Sequence, residues 1–414
     1  LDLNSYFASV EQAESPELRG RPVGVAATPG DSATIIAASY EAKAFGVKTG
    51  TKVGDARRMC SDIVICPARP QVYVAYHKRI LSVLENVLPI DKVCSIDEMR
   101  FRLLGDETLP ERAKETAYVM KRLLKTEVGE NLTCNIGIAP NAFLAKLATE
   151  FHKPDGLTVL TKEDLPERLM GLPLTTYPGI NVKMEARLVA AGITNSRALV
   201  TATLPELRRA FGGIIGERWW YMLKGYDVDS QSEGGKSLGH SHVLAPEFRT
   251  DEGCREVMLR LIAKACARLR ANHYWAEKVS FSVKGMKRSW ATEVSLPPTQ
   301  DTITITDHFL KAWEKRSFSA PLKASVTFTH LKPDAGVTPS LFEDTKPQEE
   351  LSRALDHVNQ KYGKNSIFLA GLSRAKDTAS EKIAFNKTWL FSEGKGDHEE
   401  VNSRTGKPFF PLED

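Results

Sequence analysis

Residues 228–236 run Val228-Asp229-Ser230-Gln231-Ser232-Glu233-Gly234-Gly235-Lys236. So polar and Gly/Ser-rich a stretch cannot bury apolar surface, and it reads as a linker. A chain of 414 residues broken there must build a separate core on each side. Before the break, residues 1–160 alternate strand-like and helical patterns. A short extended start over Asp2–Phe7 runs into a helix at Ala8–Ala13. Strands are expected at 22–27, 33–38, 93–96, 99–104 and 132–139. Helices are expected at 40–45 (stopped by Gly46), 72–88, 109–127 and 141–151. That alternation predicts an α/β unit with helices interleaved on a mixed sheet. Residues 161–227 predict short helices only, broken by Pro173, Pro178-Gly179 and Gly212-Gly213. After the linker the pattern is mixed again. It has a helix over 251–272, strands at 278–283, 302–306 and 324–329, and a helix near 308–315. The polar remainder, 334–414, holds one helix near 348–362.

Charge follows the same division. The net charge is only +4, but residues 236–336 carry 16 Lys+Arg against 10 Asp+Glu, a balance of +6. Residues 337–414 carry 11 against 13, and residues 1–235 balance at 29 against 29. One late module thus has the charge to hold a polyanion, although a solvated basic surface has the same composition. The six cysteines show neither a C-x-x-C nor a zinc spacing, which fits a reducing compartment. No apolar run is long enough to span a bilayer and no secretory leader stands at the visible start, so a cytoplasmic protein with no membrane partner is expected.

Chemistry concentrates at a few positions. Asp2 ends a strand, and Asp97-Glu98 follow Ser95-Ile96 between two strand-like runs. Adjacent strand residues face opposite ways, so a carboxylate pair shares one site only at a bulge or strand end. Three carboxylates from two separated segments are the ligand set of a two-magnesium phosphoryl-transfer centre. Taken alone, such acids are more often solvated. Tyr40 and Lys43 lie one helical turn apart, and Lys153 follows a helix end in Lys153-Pro154-Asp155-Gly156. Converging on a polyanion they would clamp a triphosphate; singly, each is an ordinary surface residue.

These segments carry a resemblance. Asp2-Leu3-Asn4-Ser5-Tyr6-Phe7-Ala8-Ser9-Val10-Glu11 resembles the opening motif of the Y-family (translesion) DNA polymerases, of the bacterial polymerase IV and polymerase V type. Tyr40 to Gly50 resembles their finger motif, Ser95-Ile96-Asp97-Glu98 their catalytic acids, and Gly137 to Ala148 their next palm strand and helix. Lys153-Pro154-Asp155-Gly156 and Pro178-Gly179-Ile180 follow in the family's order. The resemblance implies a right-hand polymerase architecture. Its parts are a palm at 1–6 and 68–160, fingers at 7–67, a helix-hairpin-helix thumb at 161–227 and an α+β little finger at 237–335, with a tail at 336–414.

It also implies DNA-templated DNA synthesis of low fidelity past lesions, on primer-template DNA and dNTP. Asp2, Asp97, Glu98 and the Leu3 carbonyl would hold two Mg²⁺, with Mn²⁺ as an alternative. Tyr6, Phe7, Tyr40, Lys43 and Lys153 would contact the nucleotide, with Phe7 as steric gate against ribose. Ala37, Ala38 and Ser39 would lie near the nascent base pair, and Gly179, Lys236, Ser237 and Arg249 would contact DNA. Leu341-Phe342 resembles the end of a sliding-clamp peptide, and an SOS-type accessory subunit is a further expected partner, in a nucleoid-associated setting. Residues Lys382 to Trp389 are a second docking candidate. The chain departs from the family pattern at Asn4 (often Asp), Ala37 (often Thr), Lys43 (often Arg) and Asn181 (often Gly). The alternatives are a non-catalytic primer-template-binding relative and a palm-fold cyclase. The intact acids weigh against the first and the late basic module against the second.

Overall fold

The computed structural model describes residues 1–228, 237–316, 320–337, 346–363 and 365–378. They divide into two compact units, one on each side of the linker.

The first unit runs β1 (Asp2–Leu3), α1 (Tyr6–Glu14), β2 (Val23–Ala26), β3 (Ile35–Ala38), α2 (Tyr40–Ala44), α3 (Val53–Met59), β4 (Val64–Pro67) and α4 (Pro70–Glu85). It continues with β5 (Ile90–Val93), β6 (Met99–Phe101), α5 (Pro110–Leu123), β7 (Cys134–Ile138), α6 (Ala142–Ala148) and β8 (Leu157–Val159). The helices α7 (Val182–Ala190), α8 (Ser196–Thr201), α9 (Leu204–Phe211) and α10 (Ile214–Leu223) close it. Strand β1 pairs antiparallel with β7, and β8 lies parallel on β7's other side. Strands β3, β2 and β4 form a second small sheet, and β5 and β6 a hairpin. One core gathers Phe7, Val10, Tyr73, Ile80, Leu84, Met120 and Ile136. The helical end has its own core around Leu147, Tyr177, Leu188, Leu207 and Trp219.

Three local differences from the sequence-based expectation have physical causes. The first helix begins at Tyr6, because Ser5 takes a left-handed turn (φ 48°) directly after β1. The 93–96 strand ends at Val93, so Cys94 to Glu98 form a tight connection in which Cys94 N–H donates to the Glu98 carbonyl at 2.9 Å. Strand β8 follows a Gly and is only three residues long, too short to show a period.

The second unit contains β9 (Ser237–Val243), α11 (Asp251–Ala271), β10 (Tyr274–Gly285), β11 (Ser289–Thr299), α12 (Thr302–Glu314), β12 (Pro321–Pro333) and α13 (Lys346–Tyr362). Its antiparallel sheet has the order β11-β10-β12-β9. Val279, Phe281, Val283, Val326 and Phe328 pack from one face against Val257, Leu261, Ile305 and Phe309 of the helices. The other face presents Lys278, Ser280, Ser282 and Lys284 of β10 beside Lys323, Ser325, Thr327 and Thr329 of β12. The strand expected at 302–306 is a correction: Thr302 to Thr306 is the first turn of α12. Its Thr/Ile alternation imitates a strand, but Asp301 caps the helix by accepting from Thr304 N–H at 2.7 Å. Ile305 and Phe309, one helical turn apart, are both fully buried. Part of the stretch read as a tail packs on this unit. Asp356 of α13 pairs with the largely buried Arg270 guanidinium, Ser352 Oγ donates to Asp301 at 2.8 Å, and Ala375 is fully buried.

Candidate active site

Backbone pairing gathers the acids. Leu3 N–H donates to the Asp97 carbonyl at 2.8 Å, and Met99 N–H to the Leu1 carbonyl at 3.1 Å. Asp2 thereby lies opposite Glu98 as an antiparallel bridge. Adjacent acids thus share one site through a tight connection, not along a regular strand.

Lys146, on α6, places its ammonium on the Asp2 carboxylate and 3.0 Å from Glu98. Burial works against that charge, but the two carboxylates outweigh it and hold the ammonium well above the usual lysine range. Asp97 accepts from Ser95 Oγ at 2.5 Å. Burial still lifts its carboxyl above the usual range, and the nearby Asp2 charge adds to the effect. Among the described residues, no group of three His, Cys, Asp or Glu side chains stands assembled as a metal cluster.

The basic set lies alongside. Lys43 Nζ sits 4.2 Å from the centre of the Tyr40 ring and donates to Ser5 Oγ at 2.6 Å. Lys153 Nζ is 2.7 Å from Glu150 and 3.7 Å from Asp2. Burial depresses the Lys43 ammonium, and the Lys153 charge depresses it further. Two ammonium groups that repel each other on neighbouring exposed side chains make a place for an anion. The Tyr40 hydroxyl is raised by burial and then by the Asp2 and Glu150 charges. Asp2, Tyr40, Lys43 and Lys153 therefore share one electrostatic neighbourhood, although they come from separate segments of the chain.

Phe7 is 3% exposed, with its ring stacked 4.3 Å from that of Tyr73. Tyr6 is equally buried and donates its hydroxyl to the Tyr73 carbonyl at 2.6 Å. Ala37 and Ala38 lie buried in β3, while Ser39 caps α2 by accepting from Ala42 N–H at 3.3 Å. Gly179 holds φ +95°, which favours glycine, and shares a cleft with Lys146, Glu150, Pro178 and Asn181. Asn181 needs no glycine: its φ is −93°, and it caps α7 by accepting from Met184 N–H at 3.0 Å. In the second unit, Ser237 opens the edge strand β9, and exposed Arg249 donates to the Leu244 carbonyl at 3.0 Å. Lys236, Leu341, Phe342 and the stretch from Lys382 to Trp389 lie outside the described residues. Sequence reasoning missed Lys146 as a site residue. Its only signal was its place in Ala145-Lys146-Leu147-Ala148, within the stretch that resembles the family's palm helix, on the side of α6 away from the buried Leu144, Leu147 and Ala148.

Acids at the rim of a small sheet, facing lysines carried by other elements, are the layout of a nucleotidyl-transfer centre. Comparison with known proteins narrows that class. Models of the impB/mucB/samB family and of its C-terminal domain match residues 1–150 and 235–341. DNA polymerase IV of Moorella thermoacetica is 34% identical over 384 residues, covering 89% of this chain and 94% of the relative. DNA polymerase IV 1 of Bacillus subtilis is 30% identical, covering 95% and 97%. Among solved structures, a Y-family DNA polymerase chimera built on Dbh superposes with a TM-score of 0.66 at 22% identity, covering 80% of this chain and 97% of that one. The chain belongs to the impB/mucB/samB family, the Y-family DNA polymerases.

Proposed function

We propose that Asp2, Asp97 and Glu98 are the catalytic acids of a DNA-directed DNA polymerase of the lesion-bypass type. The observation that carries this is the pairing of β1 with the 97–99 segment, which sets Asp2 against Glu98 and leaves two carboxylates sharing one ammonium. Such a donor set, all hard oxygen, suits Mg²⁺, with Mn²⁺ as an alternative. Asp2, Asp97, Glu98 and the Leu3 carbonyl would hold the cations, relieving Lys146 of its counter-ion role. Bound there, the cations supply charge neutralisation of the triphosphate and activation of the primer 3′-hydroxyl.

The chain's own residues do the rest. Lys43, Lys153 and Tyr40 hold the triphosphate, so that its α-phosphorus faces the 3′-hydroxyl. The hydroxyl gives up its proton to solvent and its oxygen bonds to that phosphorus, the bond from the α-phosphorus to the bridging β-phosphate oxygen breaks, and pyrophosphate leaves. Phe7, braced on Tyr73, narrows the space a ribose 2′-hydroxyl would need. In this reading 1–6 and 68–160 are the palm, 7–67 the fingers, 161–227 the thumb and 237–335 the little finger. The Gly179 cleft would take a primer phosphate, with Ser237 and Arg249 at the duplex. The open hydroxyl-and-lysine face of the second unit would hold duplex phosphates without selecting sequence. Leu341-Phe342 would dock on a sliding clamp. The non-catalytic alternative gains no support from the relatives.

Primer extension on undamaged and abasic templates, with and without Mg²⁺, tests the reading. Asp97→Ala or Glu98→Ala should each lower kcat by at least about 10³-fold, the scale expected when a phosphoryl-transfer group is removed. Extension at the wild-type rate in the doubly substituted protein would rule the assignment out.

A further inference from the structure

Asn4 lies two residues after Asp2, yet its side chain takes no part in the acid cluster. It is 3% exposed. Backbone N–H groups settle which way the local amides face. Asp155 N–H donates to Asn4 Oδ1 at 2.9 Å, and Gly156 N–H donates to Asn135 Oδ1 at 3.1 Å. With both oxygens so assigned, Asn4 Nδ2 donates to Asn135 Oδ1 at 3.0 Å and to the Tyr40 hydroxyl at 3.4 Å. Thr133 Oγ1 donates to Asn4 Oδ1 at 3.0 Å, which uses the second lone pair. Asn135, 1% exposed, in turn donates to the carbonyls of Thr149 at 2.7 Å and His152 at 3.2 Å.

The far side of the same turn is tied as well. Lys121 Nζ donates to the Cys134 carbonyl at 2.6 Å, the Asp155 carbonyl at 2.8 Å and the Asp155 carboxylate at 2.5 Å. The turn that carries Lys153 is thus held from both ends, and Asn4 joins it to Tyr40 on α2 through one side chain. An aspartate has the same shape but donates nothing. At this buried point it would set oxygen against Asn135 Oδ1, and its contact with Tyr40 would require the phenol hydroxyl to turn and donate instead of accept.

The geometry points to Asn4 as a positioning residue that sets the spacing between Tyr40 and the Lys153 turn, and so governs how tightly the site takes a deoxynucleoside triphosphate. This rests on the reading of Tyr40 and Lys153 as triphosphate contacts. Single-nucleotide incorporation by the full chain with Mg²⁺ and saturating primer-template tests it. Asn4→Asp should raise the KM for dNTP about tenfold while kcat changes less than about threefold, the signature of weakened binding with the chemistry intact. Asn4→Ser buries no charge and gives a second measurement should the aspartate variant not fold; its KM should rise too. Asn4→Ser combined with Tyr40→Phe should raise KM by less than the product of the single effects, because both break the same hydrogen bond. Unchanged KM in the folded Asn4 variants, or fully multiplicative effects, would overturn the proposal. Tyr40→Phe and Lys153→Ala are measured beside them. If these leave KM unchanged, the clamp reading falls and the proposal with it. If they raise KM while the Asn4 variants do not, the clamp stands and the proposal alone falls.

Discussion

At the residue scale the site is a problem of charge. Asp2, Asp97, Glu98 and Glu150 crowd the rim of β1, and Lys43, Lys146 and Lys153 answer them from three other segments. Behind the acids stands His77, fully buried on α4, with its Nδ1 2.7 Å from the Ile96 carbonyl. Burial lowers its imidazole to about 4, although the Ile96 hydrogen bond works the other way. The folded chain therefore keeps His77 neutral where the unfolded chain already takes up a proton. The contribution of His77 to stability is whole above about pH 6.5, falls as pH drops from there towards 4, and changes no further below it. The shift amounts to about 3 kcal/mol at most. Urea midpoints measured from pH 7 to 4.5 should fall less steeply in His77→Gln than in the wild type, and parallel slopes would refute the assignment. The acids were legible because their spacing in the chain is their chemistry. Lys146 and the Asn4 relay were not, because a single lysine or asparagine declares no partner until the fold supplies one.

At the element scale, the packing of α6 on β7 positions most of the site. A Cβ on Gly137 would stand 2.0 Å from the Ala145 carbonyl oxygen and 2.9 Å from the Ala148 methyl. The helix can lie this close only because the strand offers no side chain there. Since α6 carries Lys146 and leads into the Lys153 turn, moving it moves both lysines. Gly137→Ala should cost at least about 2 kcal/mol, the scale of overpacking against backbone. It should also lower kcat/KM at temperatures where the variant is fully folded. Melting curves and incorporation rates check it; a drop in stability with unaltered kcat/KM would mean that α6 does not set the lysines. Long amphipathic helices such as α4 and α11 were legible from apolar spacing. The Thr302–Thr306 turn was not, because five residues of alternating Thr and Ile satisfy a period of two and the cap at Asp301 outweighs it. Strand β11 was missed for the opposite reason: on this sheet edge most of its residues stay at least partly exposed, so its apolar signal is thin.

At the scale of the whole molecule, the uneven charge acquires a place. The +6 balance of residues 236–336 belongs to the second unit, part of whose helical layer pairs its arginines internally, as Arg270 does with Asp356 and Arg316 with Asp251. On the open sheet face, Lys278 pairs with Glu293, whereas Lys284 of β10 lies directly opposite Lys323 of β12. Like charges so placed weaken a sheet, and an anion lying across both strands would turn that cost into binding. If the anion is a duplex phosphate, replacing both lysines by alanine should lower the slope of log affinity against log salt by nearly two, about 0.9 for each phosphate no longer neutralised. Primer-template affinity near 0.1 M salt should fall about tenfold, a typical consequence of removing two phosphate-binding lysines. The KM for dNTP at saturating DNA should not move, because the proposed triphosphate contacts Tyr40, Lys43 and Lys153 belong to the other unit. The same substitution removes a repulsion, so the melting temperature should hold or rise, and weaker binding could not then be put down to unfolding. An unchanged salt slope would mean that DNA uses some other face of this unit.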